Sequence, residues 1–480
     1  MMKCLRIVLI AACLSVSWSA LAAERPNFVM IMADDLGWGD VGYNGHPHLK
    51  TPHLDAMAKA GLRLNRFYSA APVCSPTRGS CITGRHPYRY GIPFANSGHM
   101  LPEELTLAEL LAEHGYQTGH FGKWHLGTLT KTIKDANRGG PRGAKNYSPP
   151  WDNGFHTSFS TESKVPTWDP MLRPKTATGK HWWDPVEDQS EANQYGTFYW
   201  ANGKRVEDNL LGDDSKLIMD RAVSFIRAAS NKKKPFFTVI WFHAPHLPVV
   251  AGPKYAAMYS DFEKYTQHYY GCITALDEQV GRLRSELRDL GVDNNTMVCF
   301  CSDNGPEGSE KAPGSAKHLR GRKRSLFEGG VRVPGVIEWP EKIRSGSTTD
   351  VPATTSDYLP TILESIGAKM VNERPIDGIS LLPLFAGKMK QRSLPIGFES
   401  SGQTALVDNR HKIVRLPQAV KARIDQKEPT SGYMLFDLII DPSESHDIAK
   451  QHPKVVERMV TTLRAWRASC LASDRGDDYQ

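Results

Sequence analysis

What this sequence lacks narrows it first. Cysteines are few for its length, eight in 480 residues, and none forms a CxxC pair, which argues against a zinc knuckle. Cys4 and Cys13 fall in the N-terminal apolar segment. The other six, Cys74, Cys81, Cys272, Cys299, Cys301 and Cys470, are too sparse for a disulfide scaffold, although one or two bridges remain open. No stretch beyond the N-terminus is apolar enough to span a bilayer. No long Lys/Arg tract with interleaved aromatics marks a nucleic-acid binder. The net charge of +7 favours an anionic ligand only mildly and is equally a slightly basic surface. Internal repeats and low-complexity tracts are absent too.

What is there begins with "MMKCLRIVLIAACLSVSWSALAAERPN", a basic start, an apolar middle and small residues at Ala20, Ala22 and Ala23. The pattern predicts a secretory signal peptide over residues 1–23 and an exported protein, periplasmic or secreted. "IAAC" at Cys13 makes a lipoprotein anchor the minor alternative. Three runs, "NFVMIMA", "FFTVIWF" and "TMVCFCS", read as strands buried on both faces. Helical patterns alternate with them: "TPHLDAMAKAGL", "TLAELLAEHG", "DDSKLIMDRAVSFIRAAS" and "YYGCITALDEQVGRLRSELRDLG". Gly61, Gly115 and Gly291 stand in helix-stop positions. Such alternation predicts an α/β sheet covered on both faces. From about 127 to 212 the chain turns rich in Gly, Pro, Trp and Asn, either irregular decoration or functional loop. After a helix in "PATTSDYLPTILESIGA", a smaller unit is expected over 375–480, with antiparallel strands and a closing amphipathic helix. The larger domain would then span 24–374.

Polar residues gather where the strands end, the place where α/β sheets hold ligands. Asp34 and Asp35 follow the first strand, His243 and His246 another, Asp303 and Asn304 a third. Adjacent carboxylates repel and call for a cation or a shared proton. An all-oxygen set with an Asn carbonyl suits calcium or magnesium rather than zinc. In "YSAAPVCSPTRGSCITGRHPYRYG", Ser75 is expected to cap a helix whose first residue is Pro76. Cys74 then lies just before an anion-attracting helix end, with Arg78 in the same first turn. Cys81 reads as a small core residue. Lys123 and His125 lie two apart and face one side if extended. Lys323 lies in a basic loop whose Arg320, Arg322 and Arg324 read as a solvated face.

These motifs together resemble one family, the type I sulfatases of the alkaline phosphatase superfamily. "CSPTR" continuing to "TGR" is similar to its signature. "ADDLGWGDVGYNG", "GHFGKWHLG", "HAPHLPV", "SDNG" and "GRKRSLFEGGVRVPG" follow in the family's order, and "MLFDLIIDPSESHDIA" is family-like near the C-terminus. One departure is Cys81, where the family often has Leu. The resemblance implies an alkaline phosphatase-like fold: a large mixed sheet sandwiched by helices, with a smaller C-terminal α+β subdomain holding an antiparallel sheet. It implies that a formylglycine-generating enzyme oxidises Cys74 to Cα-formylglycine, whose hydrate is the nucleophile. It implies a calcium ion on Asp34, Asp35, Asp303, Asn304 and position 74. Arg78 would steady the hydrate, Lys123 and Lys323 would hold the sulfate, and His125 would act as base. His246, chosen over His243 because Pro248 follows it by two, would serve the leaving oxygen.

The expectation is therefore a calcium-dependent sulfatase acting on a sulfated sugar or polysaccharide. Glu162, Lys164, Asp169, Trp182 and Trp183 are the candidate substrate contacts. Two alternatives stand beside it: a phosphodiester or phosphonate monoester hydrolase of the same superfamily, and an inactive protein that binds sulfated glycans.

Overall fold

The three apolar runs are the centre of the molecule. In a computed structural model describing residues 25–370, 373–417 and 432–479, they form β1 (Asn27–Ala33), β4 (Phe236–Trp241) and β5 (Thr296–Ser302). The expected signal peptide and the Cys13 alternative lie outside the described residues. Two more strands, β2 (Gln117–Lys123) and β3 (Thr157–Thr161), complete a parallel core in the order β5–β1–β4–β2–β3. Short strands extend it on both sides to ten, with antiparallel pairing where the core ends, so the sheet is mixed.

Parallel strands need crossovers, which lay helices on the sheet faces. That is why these strands read as unbroken apolar runs. Val29 and Ile31 bury against α1 (Pro52–Ala60), α4 (Asp214–Asn231) and α5 (Lys264–Asp289). Phe28, Met30 and Met32 bury on the other face among residues of α2 (Cys74–Thr83), α3 (Leu107–Glu113) and α6 (Tyr358–Ser365). The helix boundaries follow local chemistry: Thr106 and Glu109 form a capping box at α3. Gly115 and Gly291 stop their helices with positive φ, 80° and 68°. Gly61 differs. Its φ is −114°, and it is needed because a Cβ there would lie 2.3 Å from the Ile337 carbonyl oxygen.

Register carries the functional consequence. Ala33 pairs with Ser302, Met32 with Trp241, and Lys123 with Thr161. The carboxyl ends of all five parallel strands thus open on one edge, and the residues that follow them are delivered together.

The structure departs from sequence expectation in several places. The region 127–212 is not mere decoration, because it supplies β3 to the parallel core. Its Ser/Thr-rich strand, "TSFST", carries little apolar signal. The cysteines at 74, 81, 272, 299, 301 and 470 are all free and buried, so no bridge forms among the described residues. The basic run is not a solvated face either: Arg322 donates to the Glu307 and Gly314 carbonyls, Arg320 to that of Glu444, and only Arg324 is exposed.

The C-terminal unit is an antiparallel sheet, β6 (Ile396–Ser400), β7 (Gln403–Val407), β8 (His411–Arg415) and β9 (Met434–Asp437), under α7 (Pro453–Asp474). Strand β6 was not expected from the sequence. A buried charge cluster joins this sheet to the helical turn Glu328–Val331 of the larger unit. Lys412 on β8 reaches Glu328 at 2.9 Å and Glu444 at 3.0 Å, all three inaccessible to solvent. Burial alone would raise Glu328, but Lys412 and Arg332 hold it below the ordinary range, while burial pushes Glu444 up to about 7. Removing one partner strands buried charge. Lys412→Ala is expected to destabilise the fold by about 3–5 kcal/mol, read as a lower denaturation midpoint; an unchanged midpoint would show that the cluster does not hold the C-terminal sheet to the larger unit.

Candidate active site

Helix α2 starts at Cys74 itself. Val73 takes the cap position with extended backbone, and no side chain caps it. The expected Ser75 cap with Pro76 first is therefore not formed, and Ser75 Oγ is buried without a partner. Thr77 anchors the entry instead. Its hydroxyl accepts from the Ala71 N–H at 3.0 Å and donates to the Ala71 carbonyl at 3.1 Å, closing the preceding turn.

Cys74 Sγ faces the end of β1, 3.4 Å from Asp34 Oδ1 and 4.0 Å from Asp35 Oδ1. Burial, then the Asp34 charge, push its thiol well above the ordinary range. One turn on, Arg78 is fully buried. Its Nη2 sits 2.7 Å from Asp303 and 3.4 Å from Asp34, and its Nη1 donates to the Lys123 carbonyl at 3.1 Å. Lys123 ends β2 and reaches Asp34 at 2.6 Å. Asp35 turns the chain with φ 67°, and its N–H donates to Asp303 Oδ1 at 3.0 Å. Its carboxylate takes Asn304 Nδ2 at 2.7 Å and Lys323 at 2.7 Å.

The electrostatics follow from crowding three carboxylates out of water. Burial would raise Asp34, but Lys123, His246, Arg78 and Lys323 hold it well below the ordinary range. Burial and the Asp34 charge push Asp303 up to about 7, against the pull of Arg78. Asn304 Oδ1 is buried with no hydrogen-bond partner. Ligand atoms of Asp34, Asp35, Cys74 and His246 all lie within 4.8 Å of one another. Crowded carboxylates with an orphaned amide oxygen fit a hard divalent cation of the calcium class.

The two histidines after β4 part company. His243 is fully buried between Asp214 at 2.7 Å and Thr161 at 2.8 Å. His246 faces the carboxylates, with Nε2 3.6 Å from Asp35 and Nδ1–H donating to the Leu247 carbonyl at 2.7 Å. Burial, against Asp35 and Asp34, brings it down to about 3. His125 does not continue β2 as an extended residue: its φ is 60°, because the chain turns at the strand end. Its Nε2 meets Asn96 Oδ1 at 3.0 Å, and its Nδ1 is buried without a partner.

The expected substrate contacts scatter. Lys164 has no ion pair among the described residues, and burial, then Lys123 and Lys323, push its ammonium down. Glu162 is fully buried behind Arg138 at 3.2 Å, and burial pushes it up to about 7. Asp169 closes a turn, its carboxylate accepting from the Gly212 N–H at 2.6 Å. Trp182 stacks on His268 and Trp183 lies beneath Arg173; both line a cavity of about 490 Å³. Two residues escaped the sequence reading. Glu307, which takes Lys323 at 3.1 Å and Arg324 at 2.6 Å, stands two residues beyond "SDNG". Asn96 lies in a loop with no motif to signal it.

Comparison with known proteins places the chain in a family. The family model described as Sulfatase matches residues 26–368, and that described as N-sulphoglucosamine sulphohydrolase, C-terminal, matches 318–469. Human (Homo sapiens) arylsulfatase A is 31% identical over 475 residues, covering 91% of this chain and 87% of the relative. N-acetylgalactosamine-6-sulfatase of Mus musculus is 32% identical over 400 residues, covering 78% and 69%. The solved structure of Ps i-CgsB with k-i-k-neocarrahexaose superposes with a TM-score of 0.76 at 28% identity, covering 93% of each chain. With nearly three quarters of its length matched by one family model and relatives above 30% identity along most of it, the chain belongs to the sulfatase family.

Proposed function

We propose that this protein hydrolyses sulfate monoesters carried by saccharides. The observation that carries the reading is the juxtaposition of Cys74, at a helix start, with three buried carboxylates and the paired ammoniums of Lys123 and Lys323. A sulfate monoester is a monoanion whose oxygens gain charge as the ester bond breaks, and fixed cations in a dry site stabilise that charge strongly. The saccharide part rests on the sugar named in the N-acetylgalactosamine-6-sulfatase relative and the neocarrahexaose bound by the structural neighbour.

Asp34, Asp35, Asp303 and Asn304, with position 74, would hold calcium, which would add positive charge beside the sulfate oxygens. Converted by a formylglycine-generating enzyme to Cα-formylglycine, position 74 would present a hydrated aldehyde as nucleophile. The chain's own groups do the rest. Lys123 and Lys323 hold the sulfate oxygens. Arg78 holds Asp34 and Asp303 in place beneath them. His125 is neutral, held well below the ordinary imidazole range by burial and then by Lys123, Arg78 and Arg138, so its open Nδ1 takes a proton from position 74. His246 Nε2 faces the centre where the leaving oxygen would be served, and Lys164 contacts the substrate at the rim. The N-terminal pattern supports export, with the protein acting in the periplasm or outside the cell.

Five outcomes test this reading. Cys74→Ala abolishes turnover without unfolding the protein, and peptide mass analysis of native protein finds position 74 converted; an unconverted thiol throughout would sink the mechanism. His125→Gln lowers kcat by about 10²–10⁴-fold. Calcium at 100 times its Kd raises stability by about 2.7 kcal/mol, seen as a higher melting temperature that Asp303→Asn loses. An aryl sulfate is turned over faster than an aryl phosphate diester; the reverse preference would assign the chain to phosphoester chemistry.

A further inference from the structure

The loop holding Asn96 plays no part in the reading so far, yet it touches the proposed base. His125 has two ring nitrogens, and only one can be the lone pair that accepts a proton. Its Nε2 lies 3.0 Å from Asn96 Oδ1, while its Nδ1 is buried with no partner. A carbonyl oxygen only accepts, so Nε2 must carry the hydrogen and Nδ1 the lone pair.

This depends on which way the Asn96 amide points, and a second contact bears on it. Asn137 Nδ2 donates to the same Asn96 Oδ1 at 3.1 Å and to Ser163 Oγ at 3.1 Å. With Asn137 placed so, an amide nitrogen in place of that oxygen would face the Asn137 donor, and only a joint turn of both amides would reverse the network. The loop itself is pinned, because Arg138 Nη1 donates to the Gly98 carbonyl at 2.7 Å while its Nε pairs with buried Glu162. Asn96 adopts φ 62°, a left-handed conformation that Asn tolerates and most residues avoid.

We propose that Asn96, oriented by Asn137 and Ser163, is a positioning residue that holds His125 in the Nε2–H tautomer, leaving Nδ1 as the proton acceptor. The inference rests on the sulfatase reading for the role of His125. Glu162 then has a place as well: through Arg138 it fixes the loop that carries Asn96.

The test uses the full-length, matured protein. Asn96→Gly removes the amide without straining the left-handed backbone, and Asn96→Asp keeps an acceptor for both donors. Asn96→Gly is expected to lower kcat about 10–100-fold, the scale for groups that orient a histidine, with KM nearly unchanged. Asn96→Asp restores most of the loss. A long-range ¹H–¹⁵N spectrum, with the His125 signals assigned by their loss in His125→Gln, reads Nε2–H in the wild type and a tautomer mixture in Asn96→Gly. Unchanged kcat in Asn96→Gly overturns the proposal, as does an Asp variant as impaired as the Gly one. A raised KM with kcat kept would make Asn96 a substrate contact, and an Nδ1–H wild type would refute the tautomer directly. Failure of the wild type to release sulfate from any ester would count against the sulfatase reading instead, since the spectrum reports the tautomer without turnover.

Discussion

Three carboxylates out of contact with water at one sheet edge are the constraint on which the rest of this structure depends. Ionised side chains are not buried without compensation, so Asp34, Asp35 and Asp303 dictate their surroundings. Arg78 spans two of them, Lys123 takes one and Lys323 another. Each cation comes from a different part of the chain: a helix start, a strand end and a late loop. Loops that would otherwise be free to wander are thereby tied to one point. Even Glu307 belongs to this account, because it takes the remaining charge of Lys323 and shares it with Arg324.

The sheet makes that convergence geometrically cheap. Parallel pairing in near-matching register aligns the ends of β1, β2, β4 and β5. Residues separated by more than 250 positions, such as Asp35 and Asp303, then meet through a backbone-to-side-chain bond. Both apolar faces of the sheet are covered, so the edge is the place where polar groups can collect. The architecture and the chemistry are in that sense one problem.

Much of this was legible beforehand, and the reasons are physical. β1 and β5 were read to the residue because strands buried on both faces leave continuous apolar runs. The carboxylates were legible because polar groups directly after such runs have nowhere else to go. Strand β3 was missed because "TSFST" carries hydroxyls, which the structure accommodates through side-chain bonds such as Ser158 to Asn202. Ser75 does not cap α2, because Thr77 closes the turn with Ala71, which lies before the helix. Lys123 and His125 were expected to line up by strand periodicity, and the turn at position 125 breaks it. Asn96 could not have been found, since its meaning comes only from a contact made across the fold.

The same oxygens that satisfy the lysines are those a cation would claim. Asp34 Oδ2 lies 2.6 Å from Lys123 and 3.4 Å from Arg78, and it cannot offer the same lone pairs to a divalent ion at full strength. A cation on these carboxylates therefore weakens the hold on Lys123 and Lys323 and leaves their charge for another anion. Binding of cation and of sulfate would then favour one another, and by linkage the effect must be mutual. Whether or not a cation is bound, the buried carboxylates keep two lysines ordered in a dry site, at the point where a sulfate would need them under the proposed function.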